Sequence, residues 1–387
     1  QSVKDWFAEA RSRKVAQRRD WEAAYLEWRM EHPTAAVELD ALWSNEMPDD
    51  LWKTLIEAAP ASGATRKTSN AVLNAAAAAL PGLVGGSADL AGSNGSVIKD
   101  GGSFGSPRHT SHSFDFAGRQ IHFGIREHAM GAVTNGMLLH GGVRPFSATF
   151  LVFSDYMRPA IRLAALSELP NIFAFTHDSI FLGEDGPTHQ AVEHHWALRL
   201  IPGLTYFRPA DGVEVAMAWA WALTEAKGPV CFSFTRQGIP AIDRPDGFDP
   251  QTVLRGGYAV QPAEDPHVIM IGTGSELHLC TEAAARLTET GLRVRVISMP
   301  SVELFNKQTP DYQEGLIPQG HPAVVTVEAG TTFPWASIAG RNALHIGVDR
   351  FGASAPAHVL AEQFGLTTEK VVQRVKEFLG TQAESRS

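Results

Sequence analysis

The chain has 387 residues, 44% of them hydrophobic, and a net charge of −9. That length corresponds to about two or three soluble domains, and the acidic balance argues against a general nucleic-acid or membrane surface. Cys231 and Cys280 are its two cysteines and both lie in apolar runs, which argues against a disulfide scaffold and for a reducing, cytoplasmic setting.

The first residue is Gln1 rather than Met, which raises the expectation of a piece of a longer chain. Residues up to about 60 have helical periodicity. Trp21, Ala24, Tyr25 and Trp28 make one apolar stripe, with Arg18, Arg19, Glu22 and Glu27 elsewhere. Pro33 ends that helix, and residues 47–60, opened by Pro48 and Asp49 and closed by Pro60, read as a second short one. With no strand pattern, residues 1–62 are expected to form a helical arm or linker. From Thr65 the pattern changes. After the helix "RKTSNAVLNAAAAALPG", the β-like runs "LVGGS", "IHFGI", "VRPFSATF", "NIFAFTHD", "LTYFRPA" and "PVCFSFTRQ" alternate with helical stretches. "AIDRPDGFDP" is a Pro/Asp/Gly-rich break, after which alternation restarts at "HVIMIGTGSEL", "LRVRVISMPS" and "AVVTVEAG". The expectation is an α/β fold: two open, mostly parallel-sheet domains with helices on both faces, over residues 63–240 and 250–387, preceded by the helical arm.

In such sheets ligands bind beyond the carboxyl ends of the strands, and the chemically interesting residues of the first domain fall there. Ser87 and Asp89 follow "LVGG", Arg126 and Glu127 follow "IHFGI", His177 and Asp178 follow "NIFAF", and Arg236 follows "CFSFT". In "HDSIFLGEDGPTHQ", Gly183, Gly186 and Pro187 shape a tight connection that lets a ligand approach the backbone. His177 and His189 can shuttle protons near neutrality, and Asp185 can accept hydrogen bonds from sugar hydroxyls. A polyhydroxylated, anionic ligand fits that set; a histidine-capped structural loop is the plainer alternative. His194 and His195 fall on the helical pattern that follows and read as structural. Glu127 opens a helix in an apolar neighbourhood, where burial would raise its pKa, or it is simply a carboxylate favoured by the helix dipole. Phe150, Phe153 and Tyr156 follow at spacing three and would share a face on a helix, for which core packing is the ordinary reading. Arg66 and Arg236 are far apart in sequence; arginine forks match phosphate oxygens, although a lone arginine is usually a surface ion pair. "VIMIGTGSELHL" lacks the third glycine and the later acidic residue of a dinucleotide site.

The motifs "ATRKTSNAVL", "GGSADLAGSN", "GIREHAMGAV", "ATFLVFSDYMR", "THDSIFLGEDGPTHQ" and "FTRQ" resemble, in order and spacing, the pyrimidine-binding domain of transketolases. The stretch from "YAVQPAEDPHVIMIGTGSEL" through "VVTVEAG" resembles their C-terminal domain. The resemblance covers roughly residues 50–387. It implies an enzyme that uses thiamine diphosphate to transfer a two-carbon ketol group from a ketose phosphate to an aldose phosphate. By resemblance, Glu127 hydrogen-bonds the aminopyrimidine nitrogen, Phe150, Phe153 and Tyr156 form the pyrimidine pocket, and Asp89 lies near the cofactor at the subunit boundary. His177, Arg66, Ser93 and Arg236 hold the substrate phosphate, Asp185 the hydroxyl beside the reacting carbonyl, and His189 the donor hydroxyls and developing oxyanion. The cofactor's diphosphate would be held through Mg²⁺ or Ca²⁺ by a Gly-Asp-Gly…Asn motif. These 387 residues contain "KDG", "EDG" and "ADG" but no "GDG", so the expectation is a split subunit or a fragment, partnered as a homodimer or with the diphosphate-binding half, and inactive alone. The stretch "NGSVIKDGGSFGSPRHTSH" departs from the family pattern. Rival readings are a related thiamine enzyme, such as a dihydroxyacetone synthase or a deoxyxylulose-phosphate synthase, and a non-catalytic, regulatory half-enzyme. "THDSI" before "GEDGPTHQ" favours transketolase over the deoxyxylulose-phosphate synthase.

Overall fold

A computed structural model describes residues 1–44, 46–108, 113–321 and 323–384. The chain divides into two compact units, Gln1–Glu46 with Gly141–Val143, and Met47–His140 with Arg144–Ser387. Part of the divergent stretch after Ser93, residues 109–112, lies outside the described residues.

The smaller unit is built on a 29-residue helix, Val3–Glu31, opened by a capping box in which Ser2 and Asp5 exchange hydrogen bonds of 3.2 Å. Trp21 stacks on Tyr25 at 5.0 Å and Tyr25 on Trp28 at 5.9 Å, so the expected stripe is one helix face. A further helix, Pro33–Ser44, is tied back by Arg29, which grips Asp40 with two bonds of 2.6 and 2.7 Å. The sequence reading takes Pro33 only as a stop. It also begins a helix, because its fixed φ and missing N–H cost nothing in the first turn.

In the larger unit, eight strands form one sheet: β1 (Leu83–Ser87), β2 (Ser103–Phe104), β3 (Phe114–Asp115), β4 (Gln120–His122), β5 (Arg144–Phe150), β6 (Ile172–Thr176), β7 (Thr205–Phe207) and β8 (Val230–Phe234). Their order is β3-β2-β4-β1-β5-β6-β8-β7, and every neighbouring pair is parallel. The short β2 and β3 have no counterpart in the sequence reading. Alternate residues bury on opposite faces. Phe146, Ala174, Phe232 and Phe234 meet helices Leu51–Ala58, Thr65–Ala79 and Gly212–Thr224. Phe173, Phe175 and Cys231 meet helices Glu127–His140 and Ser154–Leu166. Burial on both faces explains why these strands read as continuous apolar runs.

A second sheet holds β9 (Tyr258–Gln261), β10 (Val268–Gly272), β11 (Val294–Ser298), β12 (Val324–Val327) and β13 (Leu344–Ile346), in the order β13-β12-β10-β11-β9. Only β9 runs antiparallel. Val268, Met270 and Val296 face helices Leu277–Thr288 and Thr368–Glu384. Ile269, Ile271 and Ile297 face Phe305, Leu316 and Trp335. Trp196, which belongs to the first layer's chain segment, packs into this second core. Among the described residues no helix is long and apolar enough to cross a membrane.

Candidate active site

The chain places β4 and β5 on opposite sides of β1, so the strand order reverses there, and the carboxyl ends of β4, β1, β5, β6 and β8 share one edge. The expected residues sit along that edge. Asp89, just past β1, is exposed and has φ +62°, a left-handed conformation that aspartate tolerates better than most side chains. Glu127 is the first residue of helix Glu127–His140 and is 8% exposed. Its carboxylate has no hydrogen-bond or ion-pair partner among the described residues. The residue is buried while its oxygens keep contact with solvent, which leaves the carboxylate open to a ligand group.

The aromatic trio departs from the single-helix expectation. Phe150 ends β5, Phe153 lies in a 3-10 turn and Tyr156 in helix Ser154–Leu166. The strand-to-helix turn still lines the rings up. Phe150 and Phe153 are near parallel, with centroids 5.8 Å apart, and exposed Tyr156 lies 6.1 Å from Phe153. His177 stacks on Phe150 at 3.7 Å, and His189 meets Phe153 edge-on at 5.4 Å.

His177 is oriented by a chain of polar side chains. Thr176 Oγ1 donates its only proton to Asn94 Oδ1 at 2.7 Å, and the Asn94 amide donates to Ser87 Oγ at 2.8 Å. The Thr176 hydroxyl also lies 2.8 Å from His177 Nδ1, which fixes one edge of the ring and leaves Nε2 free to face the site. Burial, followed by the charges of Arg66, Arg236 and His189, pushes the His177 pKa down to about 3. The same positive cluster acts on Arg66: burial first, then Arg236, lowers its pKa. Arg66 Nη1 donates to the Ser93 carbonyl at 2.6 Å, so Ser93 enters through its backbone, while its hydroxyl makes no hydrogen bond among the described residues. Four basic side chains, His177 just past β6, Arg236 past β8, Arg66 at a helix start and His189 on the 177–190 segment, thus lie close together, as an anion-binding site requires. Asp185 is exposed on the turn between Gly183 (φ +96°) and Gly186 (φ +79°) and makes no side-chain hydrogen bond among the described residues. His194 and His195 begin a short buried helix, and His195 Nδ1 lies 2.8 Å from the Tyr206 hydroxyl.

Sequence reasoning missed the polar support of this edge. Asn94 and Thr176 carry no sequence signal, since their partners lie up to 82 residues apart. Arg208 had one, an arginine at the end of a strand run. It is fully buried, bonded to Asp178 at 2.9 Å, to Thr273 O at 2.9 Å and to Glu276. Burial opposes its charge, but Glu276, Asp178 and Glu328 outweigh that and raise its pKa.

Residues 61–241 match the model of the transketolase pyrimidine-binding domain, and residues 256–367 that of the transketolase-like C-terminal domain. The chloroplastic transketolase of Craterostigma plantagineum is 43% identical over 366 residues, 93% of this chain and 69% of that protein. The chain belongs to the transketolase family. That family is thiamine diphosphate-dependent and transfers ketol groups. The chain spans about half the length of most curated transketolases it matches, such as that of Mycobacterium tuberculosis (44% identity, 53% of its length). In structure it is similar to a Pichia stipitis transketolase in complex with sedoheptulose 7-phosphate, with a TM-score of 0.87, 34% identity, and coverage of 97% of this chain and 54% of that one. It is also similar to an inactive β4 tetramer of a split-gene transketolase, with a TM-score of 0.64, 26% identity, and coverage of 82% of this chain and 98% of that one.

Proposed function

We propose that this chain carries the pyrimidine-binding and C-terminal portions of a ketol-transferring enzyme whose donors and acceptors are sugar phosphates. The observation that carries this reading is the meeting, at one sheet edge, of an unpartnered buried Glu127, the parallel rings of Phe150 and Phe153, and the basic cluster of Arg66, Arg236, His177 and His189. These residues fit the pyrimidine end of thiamine diphosphate: flat rings offer a stacking wall and Glu127 offers an acid–base partner for a ring nitrogen. When bound, the cofactor supplies the electron sink for breaking and forming the carbon–carbon bond. Glu127 holds the proton at the ring nitrogen. Phe150, Phe153 and Tyr156 orient the ring, and Asp89 sits at its margin. Arg66 and Arg236, with His177 and the Ser93 turn, grip the substrate phosphate. Asp185 and His189 orient the donor hydroxyls, and His189 meets the charge that develops on oxygen.

The diphosphate and its Mg²⁺ or Ca²⁺ are held by a separate part, on a longer chain or a partner, because no Gly-Asp-Gly occurs in these residues. The split-gene relative supports that division. The exposed Ala129, Val133 and Leu139 on one helix, with Tyr156, Leu163 and Leu166 on another, form an apolar surface suited to a second subunit. The buried, unpaired Cys231 and Cys280 suit a cytoplasmic location. The test is calorimetry and turnover with thiamine diphosphate, Mg²⁺ and sedoheptulose 7-phosphate, using this chain alone and with the diphosphate-binding domain added. Restored cofactor binding and ketol transfer only in the mixture support the proposal. Turnover by the chain alone, or none in a mixture that assembles, rejects it.

A further inference from the structure

The segment that runs from His177 to Gln190 is held from the second α/β layer, and at one side chain in particular. Gln190 is 3% exposed. Its amide nitrogen lies 2.9 Å from Gly183 O, 2.9 Å from Ala353 O and 3.2 Å from Ile180 O. Three carbonyl oxygens around one nitrogen settle which end of the carboxamide is the donor. Gly183 and Ile180 belong to the turn that precedes Asp185 and His189; Ala353 belongs to the segment after β13. The other end of the carboxamide, Oε1, is buried without a hydrogen-bond partner and lies against Gly352, where a Cβ would collide with it. One residue on, Ser354 Oγ donates to Glu184 O. Two neighbouring residues of the second layer therefore hold the turn that presents Asp185 and His189.

We propose that Gln190 is a positioning residue for donor binding and that residues 352–354 give the C-terminal layer a direct part in it. This rests on the site reading above, in which Asp185 and His189 meet the donor. From Gly183 onward the turn contains two glycines at positive φ and, among the described residues, two backbone bonds of its own, Gly186 N to Gly183 O at 3.2 Å and His189 N to Gly186 O at 3.0 Å. Such a turn has many alternative conformations of similar energy, and the Gln190 amide selects one. Orientation of binding groups is what preorganisation contributes to a reaction. Among the described residues no hydrogen bond ties the braced turn to Glu127, Phe150 or Phe153, which it meets through the edge of the His189 ring, 5.4 Å from Phe153 and 6.5 Å from Phe150.

The experiment uses the chain assembled with its diphosphate-binding part, and four variants: Gln190→Glu, Gly352→Ala, Ser354→Ala and His189→Ala. Gln190→Glu keeps the shape but sets a carboxylate against three carbonyl oxygens at neutral pH. A protonated carboxyl regains one donor, so its donor kcat/KM, relative to the unaltered enzyme, should recover as pH falls from 8 to 5.5. Gly352→Ala pushes on the carboxamide from the second layer, and the exposed Ser354→Ala removes one brace with little risk to folding. The expected result is a donor KM raised about tenfold in Gly352→Ala and severalfold in Ser354→Ala, with thiamine diphosphate affinity and acceptor KM unchanged. Native donor KM in both, with His189→Ala inactive, overturns the inference and leaves the site reading standing. Loss of cofactor affinity in step with donor KM assigns Gln190 a merely structural role and also overturns it. Ketol transfer undiminished by His189→Ala overturns the site reading and the inference together. If Gln190→Glu does not fold, the other two bracing variants decide.

Discussion

Glu127 and Arg236 stand at opposite extremes of exposure along the same sheet edge, and their substitutions should fail in different ways. Glu127→Ala removes a carboxylate that has no hydrogen-bond or ion-pair partner among the described residues to leave unpaired. The fold should therefore tolerate it, while turnover of the assembled enzyme falls by orders of magnitude; near-normal turnover at saturating cofactor would exclude the acid–base role. Arg236→Ala removes an exposed guanidinium. A charge-assisted hydrogen bond contributes about 1.5–3 kcal/mol, so kcat/KM for phosphorylated substrates should fall roughly ten- to hundred-fold, with hydroxypyruvate or glycolaldehyde much less affected. Equal losses for both classes would remove the phosphate assignment. His177 gives a pH test. Its folded pKa is pushed down to about 3, whereas in the unfolded chain it titrates near its ordinary 6.5. Between those values the unfolded state binds the extra proton, so stability is complete above about pH 6.5 and is lost as pH falls toward 3. Buried His195, also lowered, acts with the same sign. His177→Asn, which tolerates the left-handed backbone, should flatten the dependence of the urea midpoint by up to one proton's worth, about 1.4 kcal/mol per pH unit. An unchanged slope would mean that His177 is not buried neutral.

At the scale of elements, charged side chains join the sheet edge to the second layer. Arg208, past β7, meets Asp178, past β6, and Glu276, in the 3-10 turn Gly274–Glu276 after β10. Arg199 and the indole N–H groups of Trp196 and Trp335 meet Glu328, past β12. Such pairs are poor sources of net stability but costly to break singly. Arg208→Met should therefore lower unfolding free energy by about 3–5 kcal/mol, because it leaves Asp178 and Glu276 buried without their cation. Chemical denaturation measures this. A loss within about 1 kcal/mol would mean that the carboxylates can reach water or share a proton. The helix Gly212–Thr224 shows the apolar counterpart: most of its residues are buried on all sides, which is why its sequence, "GVEVAMAWAWALT", shows little polar face.

At the scale of the molecule, the chain presents apolar surface that its own fold does not cover. Ala129, Val133 and Leu139, with Ile125 just before their helix, are exposed, as are Tyr156, Leu163 and Leu166. Scattered exposed apolar residues are ordinary, but runs of them along two helix faces are what the proposed subunit contact requires. Val133→Lys should therefore shift the assembled species toward a smaller mass in sedimentation, without changing the thermal transition of the dissociated chain. If the mass is unchanged, the subunit contact lies elsewhere.

The sequence alone determined what is local and periodic. Apolar runs of five or so residues between helical stretches announced a parallel sheet, because strands buried on both faces have no polar alternation to lose. Strand ends also place Glu127, His177 and Arg236 on a common edge, since parallel strands put every carboxyl end on the same side. Glycines in "GEDGPTHQ" marked a turn that needs left-handed backbone. Tertiary structure decided what depends on residues distant in the chain. The aromatic trio spans a strand end, a 3-10 turn and a helix, yet its rings align, because β5 ends where the turn begins. The orientation of the His177 ring depends on Thr176 and Asn94, the charge of Arg208 on Glu276, and the shape of the Asp185 turn on Gln190, Gly352 and Ser354. Each is a polar group whose burial is tolerable only once a partner from another element has arrived, and no local pattern in a sequence encodes that arrival.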